Sequence, residues 1–187
     1  MRETCAGSQT VGPFFSIGLE YLCAQPDPAT VAGAIIVRGR VLDGEKQPVP
    51  DALLELWYAD GDGHYSDQTG EGASVPQCLP RGFARIATDA EGRFCLGLQK
   101  PGRVEMGDGG KQAPHVVVLV FARGLLRHLI TRMYFPGDRA NEEDPVLQSI
   151  PARRRATLIP KQDPANPSSL EWDIRLQGEE ETVFFAW

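Results

Sequence analysis

The chain has 187 residues, of which 42% are hydrophobic and 24% charged, a balance typical of a folded globular protein rather than a disordered one. Its net charge of −6 argues against nucleic acid as a partner, because the phosphate backbone is itself anionic. The sequence has no apolar run near the roughly 18 residues that span a membrane, so no membrane association is expected. It also begins without a signal-peptide pattern, and we expect a cytoplasmic location.

The distribution of turn residues predicts an all-β fold. Residues 1–33 show little periodicity and are interrupted by Gly and Pro, which predicts an irregular N-terminal arm. From residue 34 short apolar runs alternate with turns, and we expect strands over 34–42, 52–58, 83–88, 93–98, 115–122, 128–135, 170–176 and 182–187. The one helical candidate, 141–149, is limited by Pro145. This pattern favours an antiparallel β-sandwich over 34–187 that follows an arm and linker over 1–33.

Two of these predicted strands have distinct patterns. Residues 115–122 are nearly all apolar and β-branched, which is typical of a strand buried on both faces. The segment 170–176 alternates between apolar and polar residues, so its inner face is expected to carry Leu170, Trp172, Ile174 and Leu176.

Few residues suggest chemistry by themselves. Residues 60–63 (DGDG) resemble the start of a calcium-binding loop, but the further oxygen ligands of such a loop do not follow in the sequence. We interpret them as a structural turn. The four cysteines form no C-x-x-C pair and are expected to be free thiols.

Tyr65 and His115 are the two candidates for a metal site. A tyrosinate and an imidazole together suit a ferric ion. Two protein ligands are too few for tight binding, however, and a histidine that enters an apolar strand is more often a structural residue. The residues alone therefore leave both interpretations open.

A set of motifs in fixed order identifies a family resemblance that covers nearly the whole chain. They are SQT-x-GP (8–13), LW-x-AD (56–60) with G-x-Y (63–65), KPG (100–102), APH (113–115), FARG (121–124), TR-x-YF (131–135), and QGE (177–179) with ETVFF (181–185). In the order and spacing of these motifs, the chain resembles the intradiol ring-cleaving dioxygenases. The resemblance implies a β-sandwich fold and a role in dioxygen-dependent cleavage of aromatic rings.

The resemblance also implies a ligand set, and this chain departs from it. In the family, ferric iron is held by two tyrosines and two histidines, which correspond here to Tyr65, Val104, His115 and Val117. The family's catalytic arginine corresponds to Gln112. Because valine offers no lone pair, we expect this chain alone to bind no metal and to contain no catalytic residue of its own.

This pattern resembles the metal-free chain of hetero-oligomeric members of the family, whose partner (beta) chain binds Fe3+. The resemblance then implies cleavage of 3,4-dihydroxybenzoate with dioxygen to 3-carboxy-cis,cis-muconate by the pair of chains. The metal-free chain would line the substrate pocket with Thr10, Gly12, Pro13 and Arg132. An arginine suits the carboxylate of an aromatic acid because its charge is permanent and its donors form a fork.

Two alternatives stay open from the sequence. The first is a non-catalytic β-sandwich module that binds or carries a ligand on a dioxygenase scaffold, since a fold does not fix a function. The second is an independent dioxygenase that uses substitute ligands such as Glu105, Asp108 or His128. A beta-like partner that copurifies would favour the hetero-oligomer, and a metal titration would test the independent enzyme.

Overall fold

The computed structural model describes residues 18, 33–65, 82–107 and 109–186. Within these residues the strands are β1 (Ile35–Leu42), β2 (Leu53–Tyr58), β3 (Phe83–Ala87), β4 (Arg93–Leu98), β5 (Val104–Glu105), β6 (Lys111–Gln112), β7 (His115–Phe121), β8 (Leu129–Tyr134), β9 (Lys161–Asp163), β10 (Asn166–Glu171) and β11 (Ile174–Arg175). The helices are α1 (Pro145–Ser149) and α2 (Ala152–Arg155), and two 3-10 turns span Arg139–Glu142 and Ala156–Leu158. Apart from Gly18 and Gly33, the expected arm over 1–33 lies outside the described residues, so the proposed domain boundary stays a prediction.

The strands form two main sheets, which confirms the predicted all-β sandwich. One sheet has the order β3-β2-β7-β8 with every pairing antiparallel. In the other, β1 pairs with β4 on one edge and with β10 and then β11 on the other edge, and β9 pairs with β10. The pairings of β1 with β10 and β11 are parallel, because the chain returns to this sheet through a long crossover rather than a hairpin. A small hairpin joins β5 to β6.

The main core lies between the two sheets. Alternate residues of β7, namely Val116, Val118 and Val120, are fully buried there, because successive side chains of a strand point to opposite faces. Burial of one such aliphatic side chain contributes about 1.5–3 kcal/mol to folding. The other face of β7, which carries His115 and Val117, is covered less completely. The expectation that this strand is buried on both faces is thus confirmed for its inner face and partly for its outer face.

The predicted strand 170–176 is interrupted where it passes Gly39. Leu170, Trp172 and Ile174 are buried as the alternation predicts, but residues 172–173 separate β10 from β11. A Cβ atom on Gly39 would lie 1.8 Å from the Trp172 carbonyl oxygen, so only glycine permits this close approach. The Asp173 side chain accepts the Arg40 backbone N–H at 3.0 Å.

The predicted helix 141–149 is replaced by a 3-10 turn followed by α1. Glu143 ends the 3-10 turn, since its backbone N–H donates to the Ala140 carbonyl oxygen. Asp144 caps α1, since its side chain accepts the Leu147 backbone N–H, and Pro145 lies in the first turn of α1. The sequence pattern did not predict α2. The last predicted strand, 182–187, is reduced among the described residues to one bridge between Phe185 and Ile130.

Candidate functional site

The candidate site lies on the outer face of the four-stranded sheet, where β7 and β8 pair. His115 and Val117 are two residues apart on β7 and share this face. On β8, Tyr134 lies opposite His115 and Arg132 lies opposite Val117. The strand register therefore places Arg132 beside the two positions at which the family resemblance puts histidines.

The β5–β6 hairpin links Val104 and Gln112 to Arg132. Val104 pairs with Gln112 across the hairpin, and the Gln112 side chain accepts a 2.6 Å hydrogen bond from Arg132 Nη1. Together with the contact between Tyr65 and His115, these links bring the positions predicted from the resemblance into one cluster. Its members are Tyr65, Val104, Gln112, His115, Val117 and Arg132, and we call it the vestigial centre.

Tyr65 reaches the vestigial centre from the turn after β2. The Asp60 carboxylate accepts the Asp62 and His64 backbone N–H groups, both at 2.9 Å, as expected for a structural turn. Gly63 has a φ of 89°, and a Cβ atom there would lie 2.0 Å from the Arg103 carbonyl oxygen. Glycine is therefore required next to the site, and the turn fixes the start of the segment that presents Tyr65.

Tyr65 and His115 form a neutral hydrogen-bonded pair. His115 Nδ1 lies 2.8 Å from the Ala113 carbonyl oxygen, which accepts its proton. The other nitrogen, Nε2, then accepts from the Tyr65 hydroxyl at 3.4 Å. Burial, with a smaller contribution from Arg132, lowers the pKa of His115 to about 4. Burial raises the pKa of Tyr65 against an opposing effect of Arg132, so neither ring is charged at neutral pH.

Arg132 is the one charged side chain among the six residues of the vestigial centre. It is only 7% exposed, and among the described residues it has no carboxylate within 4 Å. Its Nε atom is buried and finds no hydrogen-bond partner within the described part of the chain. The guanidinium also lies 6.0 Å from the ring centre of Phe185, a distance at the outer limit of a cation–π contact. A buried positive charge thus belongs to the vestigial centre itself.

The Asp144 carboxylate holds the backbone next to His115, and the sequence analysis did not identify this residue. The buried carboxylate accepts from the Ala113 and Leu147 backbone N–H groups, both at 2.7 Å, and from the Tyr134 hydroxyl at 3.1 Å. Burial followed by Asp144 raises the pKa of Tyr134 above its ordinary value. The Asp-Pro pair at 144–145 is a helix-start signal, but its link to residue 113 depends on tertiary packing.

The residues present do not fit a ferric ion. Val104 and Val117 have no donor atoms, and Arg132 places a fixed positive charge beside the remaining two ligand types. Across the described residues no group of three or more His, Cys, Asp or Glu side chains could hold a metal. The expectation, drawn from the resemblance, that the chain alone does not provide the metal site stays a prediction.

The two substitute ligands that lie within the described residues have other partners. Glu105 is exposed and pairs with Lys111 at 3.2 Å. His128 is exposed and packs on Phe121, at the opposite end of β7 from His115. Asp108, the third substitute, lies outside the described residues, as do Thr10, Gly12 and Pro13.

Cys95 is a partly buried free thiol, and the other three cysteines are also outside the described part. None of the described helices is long and apolar enough to cross a membrane.

Comparison with known proteins gives the family. A family model described as "Dioxygenase" matches residues 20–178, and the chain belongs to this dioxygenase family. It is 40% identical to the protocatechuate 3,4-dioxygenase alpha chain of Burkholderia cepacia, over 95% of both chains. It is 38% identical to the alpha chain of Pseudomonas putida, over 95% of this chain and 94% of that one. The resemblance predicted from the motifs is confirmed.

More distant similarities agree with the family and the fold. The protocatechuate 3,4-dioxygenase beta chain of Burkholderia cepacia is 32% identical, over 79% of this chain and 66% of its own length. Among solved structures, the dioxygenase domain of a carbohydrate-binding fusion protein from Streptomyces sp. SirexAA-E has a TM-score of 0.60 at 27% identity, over 82% of this chain and 85% of that one. Catechol 1,2-dioxygenase from Pseudomonas arvilla C-1 has a TM-score of 0.57 at 25% identity, over 80% of this chain and 54% of that one.

Proposed function

We propose that this chain is the alpha, metal-free subunit of a protocatechuate 3,4-dioxygenase, which cleaves protocatechuate with dioxygen to 3-carboxy-cis,cis-muconate. One observation carries the proposal: the positions that the resemblance assigns to metal ligands lie together, and two of them are Val104 and Val117, which have no donor atoms. The similarity to two alpha chains over almost their whole length gives the same assignment.

The proposed partner is a beta chain that holds Fe3+ and carries out the ring cleavage. The 32% identity of this chain to a beta chain is what we expect of two related chains that pack as pseudo-symmetric halves. In that pair the iron would act as a Lewis acid and template for the aromatic diol. The alpha chain would add pocket shape and charge through Thr10, Gly12, Pro13 and Arg132, in a cytoplasmic enzyme.

Two exposed aromatic residues support an interface beside the vestigial centre. Trp57 is 39% exposed and Tyr65 is 40% exposed, whereas large apolar side chains are usually covered in a monomer. Trp57 lies directly opposite Val117 in the sheet and contacts Phe83 in a tilted arrangement, with ring centres 4.5 Å apart and an interplanar angle of 57°. Tryptophan and tyrosine are enriched in the centres of protein interfaces, so this face is suited to subunit contact.

Coexpression tests the proposal. The chain is produced alone and together with a beta chain, and iron content and protocatechuate cleavage are measured for both preparations. We expect a stable complex that contains iron and cleaves protocatechuate, and a separate alpha chain that does neither. A chain that fails to bind the beta chain and persists as a stable metal-free homodimer would support the carrier alternative instead.

A further inference from the structure

The contact between Arg132 and Gln112 holds a buried charge without neutralising it. Arg132 is 7% exposed, and among the described residues no carboxylate lies within 4 Å of its guanidinium. The Gln112 side-chain oxygen accepts from Arg132 Nη1 at 2.6 Å, and an amide oxygen is an uncharged acceptor. A buried charge without a counter-charge is costly, so the pair is suited to an anion that is supplied from elsewhere.

The buried carboxylate of Asp144 does not supply that counter-charge. Its oxygens accept from the Ala113 and Leu147 backbone N–H groups and from the Tyr134 hydroxyl, which are all neutral donors. Burial, followed by Asp144, raises the pKa of Tyr134, and the Arg132 guanidinium opposes this rise. The Tyr134 hydroxyl therefore interacts with both charges, whereas Asp144 is engaged with neutral groups rather than with the guanidinium.

The backbone on both sides of Gln112 is anchored by side chains. On one side the Lys111 carbonyl oxygen accepts from Arg103 Nη2 at 3.3 Å. On the other side the Ala113 backbone N–H donates to the Asp144 carboxylate at 2.7 Å. The Gln112 side chain thus extends from a fixed stretch of backbone, which is what a residue that orients a second side chain requires.

The contact with Gln112 leaves the guanidinium of Arg132 incompletely satisfied. Arginine has several N–H donors, and Gln112 accepts from one of those on Nη1. The Nε atom is buried and has no hydrogen-bond partner within the described part of the chain, and such orphaned donors are uncommon in native proteins. A carboxylate offers two oxygens to a guanidinium and pairs with it in a fork. The carboxylate of an aromatic acid would therefore supply both the missing acceptor and the missing charge.

We propose that Gln112 is a positioning residue, whose side-chain oxygen orients Arg132 for the carboxylate of the aromatic acid and leaves the charge of the guanidinium uncompensated. The inference rests on the proposed function, in which Arg132 lines the substrate pocket. A glutamate at position 112 would pair with the guanidinium and cancel its attraction for the substrate. An apolar side chain would leave the long, flexible arginine without its neutral acceptor. Glutamine avoids both effects.

Inhibition of the complex with the beta chain tests the proposal. The probes are 4-hydroxybenzoate and its uncharged analogue 4-hydroxybenzamide, each measured as a competitive inhibitor of protocatechuate cleavage. Gln112→Met keeps the length of the side chain but removes the acceptor, and it should raise the inhibition constant of the acid about fivefold. Gln112→Glu keeps an acceptor but adds a counter-charge, and it should raise this constant about tenfold or more. The constant for the amide and the iron content should stay unchanged in both variants.

A second glutamine–arginine contact provides the matched control. Arg155 Nη1 donates to the Gln148 side chain at the same distance of 2.6 Å, but this pair lies at an exposed position on α1 and α2. Gln148→Met should leave both inhibition constants unchanged. If the variants at position 112 alter acid and amide equally, or alter neither, in an active complex, Gln112 has no positioning role and the proposed function still stands. A wild-type complex that holds no iron and cleaves no protocatechuate would instead overturn the proposed function, and this inference with it.

Discussion

Arg132 on β8 donates a 2.6 Å hydrogen bond to the side chain of Gln112 on β6. The family resemblance assigns residue 112 to the catalytic arginine, and here that position accepts a hydrogen bond from an arginine of another strand. The guanidinium adds to the effect of burial that lowers the pKa of His115, and it opposes the effect of burial that raises the pKa of Tyr65. A protein cation thus lies among the positions that the family resemblance assigns to metal ligands.

Replacement of Arg132 separates a role in substrate binding from a role in folding. In the complex with the beta chain, Arg132→Gln should raise the KM for protocatechuate several-fold, because the carboxylate of the substrate would lose a charged partner. Iron content should stay unchanged. Steady-state kinetics with metal analysis check this, and a lysine at the position should restore part of the affinity. Unchanged kinetics in an intact complex would remove Arg132 from the substrate pocket.

His115 makes stability depend on pH. Its pKa falls from 6.5 to about 4 on folding, so the unfolded chain binds the proton more readily, and stability is lost as the pH falls from about 6.5 towards 4. Between pH 7 and pH 5 this amounts to about 2 kcal/mol. Urea unfolding of the wild type and of His115→Gln should show a smaller pH dependence in the variant. The exposed His128→Gln serves as the control and should keep the wild-type dependence.

The sequence predicts the parts of the site that depend on strand periodicity. The spacing of two between residues 115 and 117 places both on one face, and the structure confirms that arrangement. It could not predict that Arg132 meets Gln112, because this contact depends on the registers of two separate hairpins. The buried carboxylate of Asp144 was missed for the same reason, since its partner at residue 113 lies 31 positions away.

Asp144 should be one of the most sensitive positions for stability. Asp144→Asn replaces an acceptor oxygen by an amide donor, which leaves a buried N–H without its partner at residue 113 or 147 and should cost about 1–3 kcal/mol. Tyr134→Phe removes only one of the three hydrogen bonds to the carboxylate and should cost less. Chemical denaturation at neutral pH measures both. If the two variants lose equal stability, the backbone contacts of Asp144 contribute little.

Trp57 should contribute to association with the beta chain. Trp57→Ser removes an exposed aromatic side chain beside the vestigial centre and should weaken the complex about tenfold or more, as expected for a central interface residue. Leu126→Ser is the matched control, since Leu126 is 64% exposed but lies in the loop between β7 and β8. Analytical ultracentrifugation of the mixed chains measures the effect. Equal weakening by both variants would place the interface elsewhere.

Restoration of the donors should convert the vestigial centre into a metal site. Val104→Tyr and Val117→His supply the missing phenolate and imidazole, and Arg132→Gln removes the opposing charge. The triple variant should bind about one equivalent of Fe3+ with visible tyrosinate charge-transfer absorption, whereas the wild type should stay colourless. The control carries Val104→Phe and Val117→Leu with Arg132→Gln, which changes bulk but adds no donors. Colour in the control, or a folded triple variant without bound iron, would show that the retained frame is not that of a metal centre.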